Sequence, residues 1–579
     1  MKRNSRLLRM ISIVLLPALL LAVGCAKSDA TVNETMAGGA TTVSSAESNA
    51  PNREDVNLDG GGFQCDWHEA VELTEDDAPP AEESPVAYAE DENFLYDIYE
   101  DHVEIERYIG TETEVEVPAT YDGLPVTKIQ GESSVGDSLG FHDTNVKKVI
   151  LPEGLTTIDN FAFDGCTSLA EINIPDSVTW IGYLAFRDTP WYESLTDEFA
   201  IVGGGCLLKY NRNDTDVTIP DGVKGIFGAF NGDEDLVSVS IPDSVTVISG
   251  AFQECTYLES ITIPESVVEI SQFSFSSCLS LTTVDIPESV RVLSAFSGCA
   301  ALKEITGMEG VEVLGGFDYT NFEKFPFPEG LVEIEYYAFM CSALEEVDLP
   351  QSLKSIEYGA FFGCGSLKTV KNGQNVVRVD FQAFVNTPWL DSKTDYFVTV
   401  GKNVLIAYNG ADTEVEIPDT VTYLGGAFWA EQSNAADPLQ SVVIPESVRG
   451  ITANAFFGHP NLSKVQILGE NVVFGEMTFS NTSLESCTLP EGTTVIPYGL
   501  FSGADSLKEV VLPDSVLLIS DAAFEGCGNL IDITIPVGVM RIGEDAFAGC
   551  GNITIHGAAG SVAESYAAEH GMNFVIDGE

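Results

Sequence analysis

Basic residues are scarce: 27 lysines and arginines stand against 89 aspartates and glutamates in 579 residues, a formal net charge of −62. Such a chain repels a phosphate backbone, which excludes nucleic acid as a partner. Histidine is also thin, with six residues placed singly. No Cys-x-x-Cys pair occurs, so no zinc-type ligand set and no metal is expected. There is no Walker loop, no His-Glu-x-x-His and no EF-hand loop, and no cofactor is expected without such motifs. Membrane-spanning runs are missing as well. What is present argues for a folded chain, because 44% hydrophobic and 9% aromatic residues need an interior.

The first segment differs from the rest. Lys2, Arg3, Arg6 and Arg9 precede a mostly apolar run over residues 10–23, the pattern of a secretion signal. It ends in Leu21-Ala-Val-Gly-Cys25, which resembles the bacterial lipobox, although Ala22 stands where the strongest form has leucine. The resemblance implies a signal peptide over 1–24 and a diacylated Cys25 as sole membrane attachment, with two acyl chains sufficient for stable anchoring. Residues 25–92 are rich in small, polar and acidic side chains and read as a disordered tether.

Residues 93–552 repeat. Leu169-Ala-Glu-Ile-Asn-Ile-Pro175, Leu258-Glu-Ser-Ile-Thr-Ile-Pro264 and Leu530-Ile-Asp-Ile-Thr-Ile-Pro536 are each followed by a Val-x-x-Ile run and then by a Phe. The anchoring prolines recur every 22–23 residues, as at Pro152 and Pro175 or Pro242 and Pro264. A fixed period in the low twenties marks a solenoid. Alternation turns both isoleucines of a short strand inward, and proline ends that strand at a corner. Val-x-x-Ile then returns apolar groups to the interior, where Phe fills the wide end. No coil buries these groups alone.

This run, Leu-x-x-Ile-x-Ile-Pro-x-Ser-Val-x-x-Ile-x-x-x-Ala-Phe-x-x-Cys, resembles the BspA-like leucine-rich repeat family of bacterial surface proteins. The resemblance covers roughly residues 101–577. It implies a β-rich, right-handed leucine-rich repeat solenoid with two hairpin insertions, at about 188–216 and 386–414, projecting from the stack. Ser177, Ser244, Ser266 and Ser289 stand where other leucine-rich repeats keep an asparagine ladder. Coil register is irregular near 307–327 and 430–438. Residues 553–579 read as a cap, with Ser561-Val-Ala-Glu564 as a capping box.

Of the twelve cysteines, Cys166, Cys255, Cys278, Cys299, Cys364, Cys527 and Cys550 each follow the repeat Phe by three residues. A thiol recurring at one interior position behaves as a small hydrophobe and weak donor able to reach a turn carbonyl. Side chains pointing the same way make poor disulfides, so buried free thiols are expected. Gly136-Asp-Ser-Leu-Gly140 spells an esterase elbow around Ser138. It lies in a polar loop without the strand, helix or histidine–acid partners that elbow needs, so no enzyme is expected.

The residue between the two inward isoleucines should face solvent: Asn173, Ser240, Thr262, Asp285, Asp348, Thr488 and Thr534 form this candidate binding stripe, with Val443 and Val511 in the same column. Simple solvation also accounts for such a stripe, since any soluble solenoid needs a polar face. The resemblance implies a lipid-anchored surface protein that binds or adheres to extracellular proteins or glycans without catalysis. The alternative is a structural, self-assembling coat protein.

Overall fold

The computed structural model describes residues 85–131, 139–428 and 437–576. Cys25, Ser138, most of the expected tether and most of the irregular stretch near 430–438 lie outside these residues. A strand lies ahead of the expected boundary at 93: Ala87–Glu90 pairs antiparallel with Phe94–Ile98. Asp91 closes the turn between them, its Oδ1 accepting from the amides of Asn93 and Phe94 at 2.8 and 2.9 Å. Val103–Tyr108 adds the third antiparallel strand, and Leu124–Ile129 continues parallel to it as the coils begin.

About twenty coils follow, each with the same local plan. Leu-x-x-Ile-x-Ile makes a strand of two to four residues; Asp216–Thr218, Ser238–Ser240 and Ser260–Thr262 lie parallel, with Val217, Val239 and Ile261 in one inward column. After the proline corner the Val-x-x-Ile run forms a second ladder. Val247–Ser249, Glu269–Ile270, Val292–Ser294 and Val313–Gly315 belong to one ten-stranded sheet on that side. The irregular stretch near 307–327 keeps this ladder, with Val313 beside Val292 and Leu314 beside Leu293. Phe322 and Phe325 fill its altered turn, packing on Phe317.

The repeat Phe side chains form a continuous stack. Phe230, Phe252, Phe275 and Phe296 succeed one another at 5.1, 5.3 and 5.3 Å between centroids, with interplanar angles of 13°, 6° and 10°. This near-parallel geometry is imposed by the backbone ladder, which repeats each ring one strand spacing along. Two further columns run beside it. The thiols of Cys166, Cys255, Cys278, Cys299, Cys364, Cys527 and Cys550 each donate to the carbonyl of the Phe one coil earlier, at 2.9–3.2 Å. No disulfide joins the described cysteines. Burial pushes the thiols of Cys255 and Cys299 up to about 12, so they stay protonated as donors. In place of an asparagine ladder, Ser244, Ser266 and Ser289 donate to the carbonyls of Val223, Val245 and Val267 at 2.6–2.7 Å.

Each insertion begins with a short helix, Pro190–Glu193 or Pro388–Asp391, capped by the hydroxyl of Thr189 or Thr387. Trp191 and Trp389 end the local ring stack on Phe186 and Phe384, both at 4.7 Å. A hairpin follows, Phe199–Val202 with Cys206–Tyr210, then Phe397–Val400 with Val404–Tyr408 in the second copy. These hairpins do not project as expected. Their second strands join the parallel ladder, and their tips fold back onto the preceding coil: Gly204 N donates to Val178 O at 3.0 Å and Lys402 N to Val376 O at 2.7 Å. Gly203, at φ 53°, permits the first contact; a β-carbon there would lie 2.9 Å from Ile174 and 3.0 Å from the Pro175 carbonyl. The apolar interior accordingly falls into three consecutive clusters that meet at the two hairpins.

At the far end, helix Val562–Glu569 is capped by Ser561, which accepts from Glu564 N, while Glu564 accepts from Gly560 N at 2.6 Å. Strand Asn573–Ile576 then pairs parallel with Thr554–Gly557 and covers the last ladder edge.

Candidate binding surfaces of the coil

The two ladders give two unlike faces. On the strand side, Asn173, Ser240, Thr262, Asp285, Asp348, Thr488 and Thr534 are all exposed. Ser240, Thr262 and Asp285 lie on consecutive coils, one strand spacing of about 4.8 Å from one to the next, while the others are separated by intervening coils such as those of Thr218, Thr306 and Val511. Several have neighbours within the stripe. Asn173 brackets the Leu151 backbone, accepting from its N–H at 2.8 Å and donating to its carbonyl at 3.0 Å. Asp285 accepts from Thr306 at 2.6 Å, and Asp348 from the amide of Asn372. Ser240 sits in register between Thr218 and Thr262. The few lysines here pair with acids of adjacent coils: Lys148 with Glu171 at 3.0 Å and Lys508 with Glu485 at 3.0 Å beside the column, and Lys371, in the column next to Asp348, with Glu346 at 2.8 Å. Toward the C-terminal end the column includes exposed Val511 and Val575. Surface pairs of this kind contribute little stability; they reduce the charge of the stripe locally.

The return-strand side is curved inward, since side chains there meet across several coils. Tyr183 Oη donates to Gln253 at 2.6 Å, and its ring lies 5.0 Å from Phe273. The position directly after the return-strand apolar residue carries Glu335, Glu357 and Asp380 in three consecutive coils. Asp380 is buried and fully partnered. Its Oδ1 accepts from Tyr423 at 2.8 Å and Thr452 at 3.1 Å, and Arg378 bridges it, at 2.6 Å, to Glu357 at 3.2 Å. Burial and the neighbouring Asp380 carboxylate raise Glu357, and the same burial raises the Tyr423 hydroxyl. Motifs do not reveal this network, because its members lie 43 and 72 residues apart in the chain. Aligning the residue after each return strand would show the acids as a column, without showing what they touch.

Burial, reinforced by Glu333 and Glu269, pushes the Glu335 carboxyl from 4.5 up to about 7. The folded chain therefore holds this proton more tightly than the unfolded chain does. Its contribution to stability is complete below pH 4.5 and disappears as pH rises through 7. Thermal unfolding of wild type should weaken by about 2–3 kcal/mol over that window relative to Glu335→Gln. Equal pH slopes for the two proteins would contradict the assignment.

One histidine departs from the repeat. His459 occupies the cysteine position after Phe456, and its ring meets the Phe428 carbonyl through Nε2 and Asp437 through Nδ1 at 2.5 Å. It thereby takes over the thiol's contact with the preceding coil where the spacing becomes irregular.

Among the described residues no helix is long and apolar enough to cross a membrane. A sequence profile described as the BspA type leucine rich repeat region, in 6 copies, matches residues 135–248, 227–317, 293–391, 315–436 and 433–554. No curated protein matches the chain. Among solved structures, the chain is similar to a leucine rich cell surface protein from Faecalibacterium prausnitzii A2-165. That likeness is 23% identical, covers 84% of this chain and 97% of that one, and has a TM-score of 0.24. It is also similar to a leucine-rich repeat protein from Bacteroides ovatus ATCC 8483, at 19% identity, 84% and 99% coverage and a TM-score of 0.19. A third, from Eubacterium ventriosum ATCC 27560, is 20% identical over 60% of this chain and 90% of that one, with a TM-score of 0.28.

Proposed function

The chain belongs to the BspA type leucine-rich repeat family, and on that basis we propose that it is a non-catalytic binding protein of the bacterial cell surface. Cys25, diacylated, attaches it to the membrane, and the strand-side stripe takes extracellular proteins or glycans. One observation carries this reading: seven polar side chains stand exposed at the same strand position of coils whose backbones are tied together by parallel ladders. Many weak contacts in such a column act together, so affinity grows with the number of coils engaged. The acidic excess favours partners with basic patches. The secretion-signal pattern ahead of Cys25 supports the location.

Purified protein should bind a subset of extracellular proteins or glycans on an array. Asp285→Lys combined with Asp348→Lys should weaken that binding at least tenfold, about 1.4 kcal/mol, while leaving the thermal midpoint near wild type. Absence of selective binding, together with concentration-dependent assembly, would favour the coat reading instead. Mass spectrometry of membrane-extracted protein tests the anchor separately: an unmodified Cys25 removes it.

A further inference from the structure

Arginines are rare in this chain, and two of them are placed where the first described strands meet the last coils. The inner face begins with the antiparallel strands Ala87–Glu90, Phe94–Ile98 and Val103–Tyr108, and its last return strand is Arg541–Ile542. Arg541 and Glu106 lie 435 residues apart in sequence, yet Arg541 Nη1 contacts the Glu106 carboxylate and stands 3.5 Å from Asp97. Its guanidinium covers the Tyr88 ring at 4.7 Å. A second contact, Arg107 to Asp521 at 4.0 Å, runs in the opposite sense, with the cation on the first strands. The group is largely shielded from solvent: Arg541, Glu106 and Asp97 side chains are 15%, 13% and 13% exposed.

We infer that the first strands and the last coils clasp each other within one chain, closing the inner face end to end and leaving the strand-side stripe as the face open to ligands. The contact has the marks of a specific seat. Both partners are charged and complementary, an aromatic ring lies under the guanidinium, and one of the two carboxylates, Asp97, is held from behind. Gln130 donates to Asp97 at 2.9 Å and to Glu104 at 2.8 Å, while Lys128 pairs with Glu104 at 3.7 Å and Asp159 at 3.1 Å. Burial raises both Asp97 and Glu106, and Arg541 supplies the largest opposing pull on each. Nothing else on the last return strand can supply it: Arg541 is the only base of that strand, and Ile542 points inward. The inference is independent of whether the outer stripe binds anything.

Hydrogen exchange of the full-length protein reads the clasp at both ends. In Arg541→Glu, three carboxylates confront one another, and like charges at a shielded contact are strongly unfavourable. Amides of residues 87–108 and of residues 518–542 should then exchange at least tenfold faster, although only one segment carries the change. Glu106→Arg alone should do the same from the other end. The double variant Glu106→Arg with Arg541→Glu should recover most of the protection, which separates the clasp from local misfolding. Acceleration confined to the mutated segment, or no recovery in the double variant, overturns the inference. So does sedimentation showing that protection at 87–108 arises only with dimer formation, because the contact would then join two copies.

Discussion

Phe275→Ala should destabilise the coil by about 3–5 kcal/mol, the usual range for deleting a fully buried ring. Phe275 is completely buried, with Phe252 and Phe296 both 5.3 Å away on either side. Its neighbours cannot relax into the space, because the return-strand ladder holds coil spacing there, with Glu269–Ile270 paired on both sides, and the Phe275 carbonyl is tied to the Cys299 thiol at 3.0 Å. The cavity therefore persists, and persistence sets the upper part of the range. The damage should also spread. In a stack where each coil contacts only its neighbours, a central defect breaks one cooperative unit into two. Urea unfolding followed by limited proteolysis should show a second transition and a new cleavage near residue 275. A single transition within about 1 kcal/mol of wild type, roughly the loss of one buried CH₂, would contradict the role given to the ring stack.

Arg378→Ala should cost about 3 kcal/mol for a different reason. The guanidinium contacts Asp380 and Glu357 together, and Asp380 has almost no access to solvent. Removing the cation leaves a buried carboxylate that keeps the Tyr423 and Thr452 hydroxyls but has no counter-charge, and breaking such a pair is expensive because one charge remains uncompensated. Arg378→Lys should recover little, since a lysine cannot present a planar fork to two carboxylates. Arg378→Met with Asp380→Asn should approach wild type, because it removes both charges at once. Thermal midpoints of the three variants decide the matter: a fully stable Arg378→Ala would show that the network adds nothing to the junction.

Most of the coil is legible in the order of its residues. Alternation in Leu-x-x-Ile-x-Ile places Ile172 and Ile261 toward the interior and Asn173 and Thr262 outward, because side chains in a strand alternate whatever the fold around them. The thiols after each Phe are legible as buried donors for the same reason: one repeated position has one repeated environment. The serines before each valine are visible as a departure from the asparagine ladder. Their task, bonding the valine carbonyl of the preceding coil, emerges only when the coils stack. The hairpins are recognisable as apolar runs around Gly203 and Lys402, yet their direction is not, since it depends on how the tip meets Val178 or Val376. The strand ahead of residue 93 is hidden as well. Ala87–Glu90 is too short and polar to signal a strand, and it pairs only because Phe94–Ile98 lies beside it.

The order of residues alone therefore specifies the family, the coil, its stacked phenylalanines and thiols, and which face of each strand meets water. These are nearest-neighbour properties, written once per repeat and fixed by backbone geometry one strand spacing at a time. Only the folded molecule brings Arg378, Asp380, Tyr423 and Thr452 together, lays the hairpins into the ladder, and carries Arg541 to Glu106. Those contacts follow from curvature, the sum of small rotations between many coils, and no single repeat contains that sum.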